Sequence, residues 1–159
     1  MDRNFTNNQY GKFQKNPKPQ MELHDIMKKS FNKDNDDATL ISKNAEEVAE
    51  IIFKEYDYHR KSKNKNSQIR KFFDELFGIK IRLESSKDPE EEFKNVKPLI
   101  YLLASKAAYA KGREKIGENL YEFFKNNFLA ISSYKDLKRF ILYFEAILGY
   151  YKFKNPKES

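Results

Sequence analysis

Residues 134–153 constrain this chain more than any other stretch. Leu137, Phe140, Ile141, Phe144, Ile147, Leu148 and Tyr151 recur there at the three- and four-residue spacing of one helical face. A stripe this long and aromatic must be covered by other helices. Runs of period two bounded by turn residues are absent. The one candidate strand, IKIRLE at 79–84, continues the apolar stripe of the turns before it and is read as helix. The spacing predicts an all-α fold, a single compact bundle of five to six helices joined mostly by short loops.

The other helices are placed by the same periodicity. Residues 1–20 are polar, with Phe5, Tyr10 and Phe13 unpatterned, and read as a disordered tail. The tail is either a solubilising extension or a nucleic-acid arm using Arg3, Lys12, Lys15 and Lys18. Residues 21–41 allow a short helix on Leu23, Ile26, Met27 and Phe31, followed by a linker in which the acidic run from Asn32 breaks the pattern. The bundle domain spans 42–154, and 155–159 read as a disordered end after Pro156.

Within the domain, a helix at 44–59 buries Ala45, Val48, Ala49, Ile52, Phe53 and Tyr56 and turns Glu46, Glu47, Glu50 and Glu55 to water. A Lys/Asn loop follows. Ser67 is positioned to cap the next helix, which buries Ile69, Phe72, Phe73, Leu76 and Phe77. Asp88-Pro89 signals another helix start. A short helix through Phe93 and Val96 is expected there, then a longer one opening near Pro98 that buries Leu99, Ile100, Leu102, Leu103 and Ala107. Gly112 and Gly117 bracket a boundary, and Ser132 and Ser133 are candidate caps for the last helix.

Little in the chain resembles an active centre. There is no cysteine, no Gly-rich phosphate loop, and neither His24 nor His59 has a ligand-type neighbour at helical spacing. Asp34, Asp36 and Asp37 lack the glycine and distal glutamate of a calcium loop, and Glu90 to Glu92 suit a helix start. Glu145, set in an apolar helix, reads as an ion-pair partner of a basic neighbour such as Arg113. Neither a cofactor nor a metal is expected, and the chain reads as a non-enzyme. No stretch approaches a membrane span and no secretory signal opens the chain, so a cytoplasmic location is expected.

The net charge of +7 is clustered rather than spread. Arg60, Lys61, Lys63, Lys65, Arg70 and Lys71 follow one another with no acid between them. The last two occupy a helix start, where the dipole favours anions, and partner binding could justify that cost. Lys106, Lys111, Arg113 and Lys115 form a second group. Lys135, Lys138 and Arg139 form a third, with Lys152 and Lys154 at the end. Such groups suit phosphate contact, and Tyr109, Tyr143 and Tyr150 could stack bases or fill core edges. By pattern alone, a nucleic-acid surface and a solvated basic face both remain open.

Three blocks in order, NSQIRKFFDEL at 66–76, AAYAKGREKI at 107–116 and DLKRFILYFEAILGYYKF at 136–153, resemble those of the small helical subunit of type III-A CRISPR effector (Csm) complexes. The resemblance covers roughly residues 42–154. It implies a non-catalytic subunit that assembles in several copies along a filament, beside the backbone and large subunits and neighbouring copies of itself, in contact with guide RNA and target RNA. Target cleavage and cyclic oligoadenylate synthesis belong to other subunits of such complexes. Carried onto matching positions, Gln68, Arg70, Lys71, Lys111 and Arg113 are the phosphate-contacting candidates, with Arg139 and Lys152 in addition. Phe144, Glu145 and Ala146 resemble a structural signature. The alternative is a stand-alone helical adaptor whose basic face meets an acidic protein.

Overall fold

Asp88 and Ser133 show how local chemistry starts the helices. The Asp88 carboxylate accepts from the Glu91 N–H at 3.2 Å and Pro89 takes the first helical position. The Ser133 hydroxyl accepts from the Asp136 N–H at 3.1 Å, while the Asp136 carboxylate reaches back to the Ser132 N–H at 3.0 Å. The computed structural model describes residues 21–33 and 36–157, so the tail reading for 1–20 lies outside the described residues.

Those residues are all-helical. α1 (Asp25–Lys28) and α2 (Asp37–Thr39) are single turns, and α2 runs through a π-helical turn, Leu40–Asn44, into α3 (Ala45–Tyr58). Four longer helices follow: α4 (Asn66–Glu84), α5 (Pro89–Gly112), α6 (Glu118–Phe128) and α7 (Tyr134–Lys154). α3 lies along α7, α5 along α6, and α4 bridges α5 and α7. The stretch 79–84 is the end of α4, as its apolar phase predicts.

α6 is the axis of the core. Leu120, Phe123, Phe124 and Phe128 are buried, and so are its polar Asn119 and Asn127. Phe124 stacks on Phe128 with ring centres 5.1 Å apart and meets Phe72 of α4 at 4.6 Å, while Phe140 of α7 meets Phe128 edge-on at 5.8 Å. Three asparagines of α6 bind the segment that carries α1. The Asn119 Oδ1 accepts from the His24 N–H at 3.0 Å, the Asn127 Oδ1 accepts from the Phe31 N–H at 2.7 Å, and the Asn126 amide donates to the Met27 carbonyl at 3.2 Å. Satisfying that backbone is what allows Met27 and Phe31 to be buried.

Four expectations are corrected. The Ser67 cap is not formed. α4 begins at Asn66 with Lys65 at the cap position, two residues before the expected cap, because a tertiary anchor at Asn64 sets where the chain turns. The two helices expected around Pro98 are one, with Phe93, Val96, Ile100, Leu103 and Ala107 in unbroken phase. Leu99 and Leu102 are therefore exposed rather than buried, and Phe77 is also at the surface. Pro98 is exposed, so its ring and the carbonyl it leaves without a partner face water, where a helix can bend. Pro98→Ala is expected to stabilise the fold by about 1–2 kcal/mol, read as a higher urea midpoint at unchanged slope. The fourth correction concerns Glu55, which is buried.

Candidate nucleic-acid interface

α3 ends in a way that glycine usually provides. The Lys61 N–H donates to the Tyr56 carbonyl at 2.8 Å and the Arg60 N–H to that of Asp57 at 3.0 Å. The residues in the left-handed region are Arg60 (φ 53°) and Lys61 (φ 64°), both bearing Cβ atoms. α5 ends alike: the Lys115 N–H donates to the Ala110 carbonyl at 2.9 Å, and Glu114 takes φ 60°. Neither turn places a glycine at its left-handed position, where it would relax the strain.

The two turns are joined through Asn64, itself left-handed (φ 60°) and completely buried. Its N–H donates to the Lys115 carbonyl at 3.0 Å, its Oδ1 accepts from the Gly117 N–H at 2.9 Å, and its carbonyl accepts from the Tyr151 hydroxyl at 2.6 Å. Its amide donates to Glu55 at 2.9 Å. Glu55 in turn completes the start of α6. Gly117 has no side chain to cap that helix, and the Glu55 carboxylate accepts from the N–H groups of Asn119 at 2.9 Å and Leu120 at 3.2 Å. The carboxylate is where the helix dipole favours it. A Cβ on Gly117 would lie 2.1 Å from the Glu55 Cδ, so no other residue fits there without displacing the cap.

This polar centre gathers the Lys/Asn loop, the α5–α6 turn and the last turn of α7 at one end of the bundle. Arg60, Lys61, Lys63 and Lys65 lie on the loop, Arg113 and Lys115 on the turn, and Lys152 and Lys154 on α7 beside Tyr151. His59 records the crowding: burial first and then the charge of Lys63 hold its imidazole below its ordinary value, while Glu55 and Glu114 act the other way. Arg70 and Lys71 are exposed about 8 Å further along α4, and Gln68 is half-buried in its first turn.

The remaining candidates are placed differently. Lys111 forms an ion pair with Glu118 and lies 4.8 Å from the Tyr121 ring centre. Arg113 donates to the Tyr109 hydroxyl at 2.9 Å and lies over that ring; Tyr109 is 66% exposed. Tyr143 is core, with burial pushing its hydroxyl pKa up, and Tyr150 is half-buried. Arg139 pairs with Asp37, twelve residues before Tyr151 on α7 and therefore about 18 Å from the basic end. Glu145 is exposed, and no ion pair joins it to Arg113 among the described residues.

This end is distinguished by how many cations without an ion pair it gathers, since Lys29, Lys43, Lys87, Lys97, Lys135 and Lys138 also lack one among the described residues. Elsewhere Lys54, Lys80, Arg82, Lys94, Lys106 and Lys125 each meet a carboxylate. Among the described residues, no ion pair engages Arg60, Lys61, Lys63, Lys65, Arg70, Lys71, Lys115, Lys154 or Lys157. Sequence reading missed the centre that gathers them. Glu55 follows Val48 by seven residues and Ile52 by three, which places it on the buried stripe, and that phase was the available signal.

The described residues contain no group of His, Asp or Glu that could hold a metal, and none of their helices is long and apolar enough to cross a membrane. Fold and surface together define a small all-α bundle whose distinguishing chemistry is a rigidly held basic end. The chain belongs to the Csm2 Type III-A family, whose family model matches residues 35–157. It is thus a small subunit of a type III-A CRISPR complex, from a family of structural subunits. No curated protein and no solved structure matches the chain.

Proposed function

We propose that this subunit is non-catalytic and contacts the guide–target RNA of the complex through backbone phosphates, in several copies along the filament. The observation that carries the reading is the gathering of Arg60, Lys61, Lys63, Lys65, Lys115 and Lys154, which no ion pair engages among the described residues, at one end around turns held by Asn64 and Glu55. Cations carried on turns already held in place are suited to an anionic polymer, because little loop freedom is lost when it binds. A subunit serving any guide must recognise backbone and shape, and this end offers charge without a row of base-reading amides. Gln68, Arg70, Lys71, Arg113 and Lys152 are proposed as contacts. Lys111, engaged by Glu118, and Arg139, engaged by Asp37, are proposed as weaker ones.

Arg70→Ala and Arg113→Ala are each expected to weaken RNA binding about tenfold, equally for unrelated sequences. Each should flatten the plot of log affinity against log salt by about 0.7–0.9. Helical content by circular dichroism should not change. A loss confined to one RNA sequence would contradict backbone contact, and co-purification of the native protein with an acidic protein and no RNA would favour the adaptor.

A further inference from the structure

A groove of about 470 Å³ opens beside the basic end, between the last turns of α3 and the end of α7. That volume lies within the roughly 300–1,000 Å³ range of small-ligand sites. Its lining is aromatic and charged, with Asn155 and Pro156 completing it. Phe53 supplies a half-buried aromatic ring backed by the buried Tyr56, their ring centres 6.0 Å apart. Lys61, Lys154 and Lys157 supply positive charge from two separate chain segments, and Asp57 supplies one carboxylate. No ion pair among the described residues engages those three lysines or Asp57.

Lys61 reaches the groove from a left-handed backbone that a glycine would adopt more easily. The fold thus carries local strain at a residue whose side chain lines the groove, the kind of outlier that points to function. The combination matches an RNA nucleotide that has left its stack. Aromatic surface accepts the face of a base, a carboxylate accepts from an amino or imino N–H on its edge, and ammonium groups hold the flanking phosphates. A free phosphate would leave the aromatic surface without a role. An acidic peptide would bring a second carboxylate towards Asp57.

We propose that this groove seats one unpaired nucleotide of RNA, its base against Phe53 with a donor edge at Asp57, and its phosphates at Lys61, Lys154 and Lys157. The proposal rests on the RNA reading above and deepens it. The basic end follows the backbone of any RNA, whereas the groove distinguishes unpaired from fully paired strands.

The test uses the full chain with RNA carrying a single 4-thiouridine, either unpaired or within a duplex, photo-crosslinked and mapped by peptide mass spectrometry. Cross-links on the peptides holding Phe53 to Lys61 or Lys154 to Lys157 are expected with the unpaired base and not with the duplex. Lys154→Glu combined with Lys157→Glu should lower single-strand affinity about tenfold or more and flatten the salt slope by about 1.4. Phe53→Leu keeps an apolar side chain, so the fold should persist by circular dichroism while the cross-link yield falls severalfold at an unchanged salt slope. Cross-links confined to the Arg70 and Arg113 peptides, with both groove variants binding normally, would overturn the nucleotide seat and leave backbone contact standing. Absence of cross-links anywhere and of binding would overturn both. Binding that an acidic peptide abolishes, with no cross-link in the groove, would assign the groove to a protein.

Discussion

Glu55→Ala should lower stability by about 3–5 kcal/mol, a large part of the roughly 5–15 kcal/mol that holds a domain of this size. The loss has an identifiable origin. Asn119 and Leu120 at the start of α6 would keep buried N–H groups with no acceptor, since Gly117 cannot provide one. The side-chain amides of Asn64 and Asn119 would fall back on single carbonyl acceptors, Ile52 and Glu22. Gly117→Ala should approach the same loss by a different route, its methyl group forcing the carboxylate out of position. Urea titration followed by circular dichroism reads both. A shift equivalent to less than about 1 kcal/mol for Glu55→Ala would mean that water replaces the carboxylate, and the centre described above would not be what holds the basic loop.

Replacing Arg60 and Lys61 together by glycine should move stability and RNA binding in opposite directions. A left-handed residue with a Cβ costs about 1–2 kcal/mol, partly offset by the greater chain entropy glycine loses on folding, so a net gain of about 2 kcal/mol is expected for the pair. RNA affinity should fall at least tenfold, with a flatter salt slope, because two fixed cations are gone. The opposition is the informative part. A turn shaped only for folding would lose nothing by becoming easier to form. If the glycine variant bound RNA normally, the strain in this loop would have no functional account.

Much of the fold was legible because burial has a period. The stripe of α7, from Leu137 to Tyr151, needs only its own residues to be recognised, and all of it but the half-buried Leu148 is buried as its phase requires. Asp88 and Ser133 cap their helices through groups three residues away, so sequence order alone identifies them. The errors arose where one signal interrupted another. Pro98 was read as a boundary and reset the phase of α5, which moved Leu99 and Leu102 to the wrong face. The structure keeps the phase because the proline faces water. All the candidate contacts come from sequence, and nothing in it indicates that two of them, Lys111 and Arg139, have carboxylates of their own in Glu118 and Asp37.

The sequence by itself therefore determined the helices, most of their buried faces and the presence of basic clusters, since these depend on spacing within some twenty residues. Only the tertiary structure decided that the Lys/Asn loop, the α5–α6 turn and the end of α7 share one end of the bundle, while Lys106 and the group from Lys135 to Arg139 lie elsewhere. That outcome rests on contacts across 53 to 87 positions of chain, from Asn64 to Gly117 and to Tyr151, and on a glutamate of α3 that caps α6. A hydrogen-bonding side chain such as Asn64 has the same composition in a solvated loop as in a buried centre. Burial makes the difference, because an unmatched polar group away from water is costly and its partners must then be held in one place.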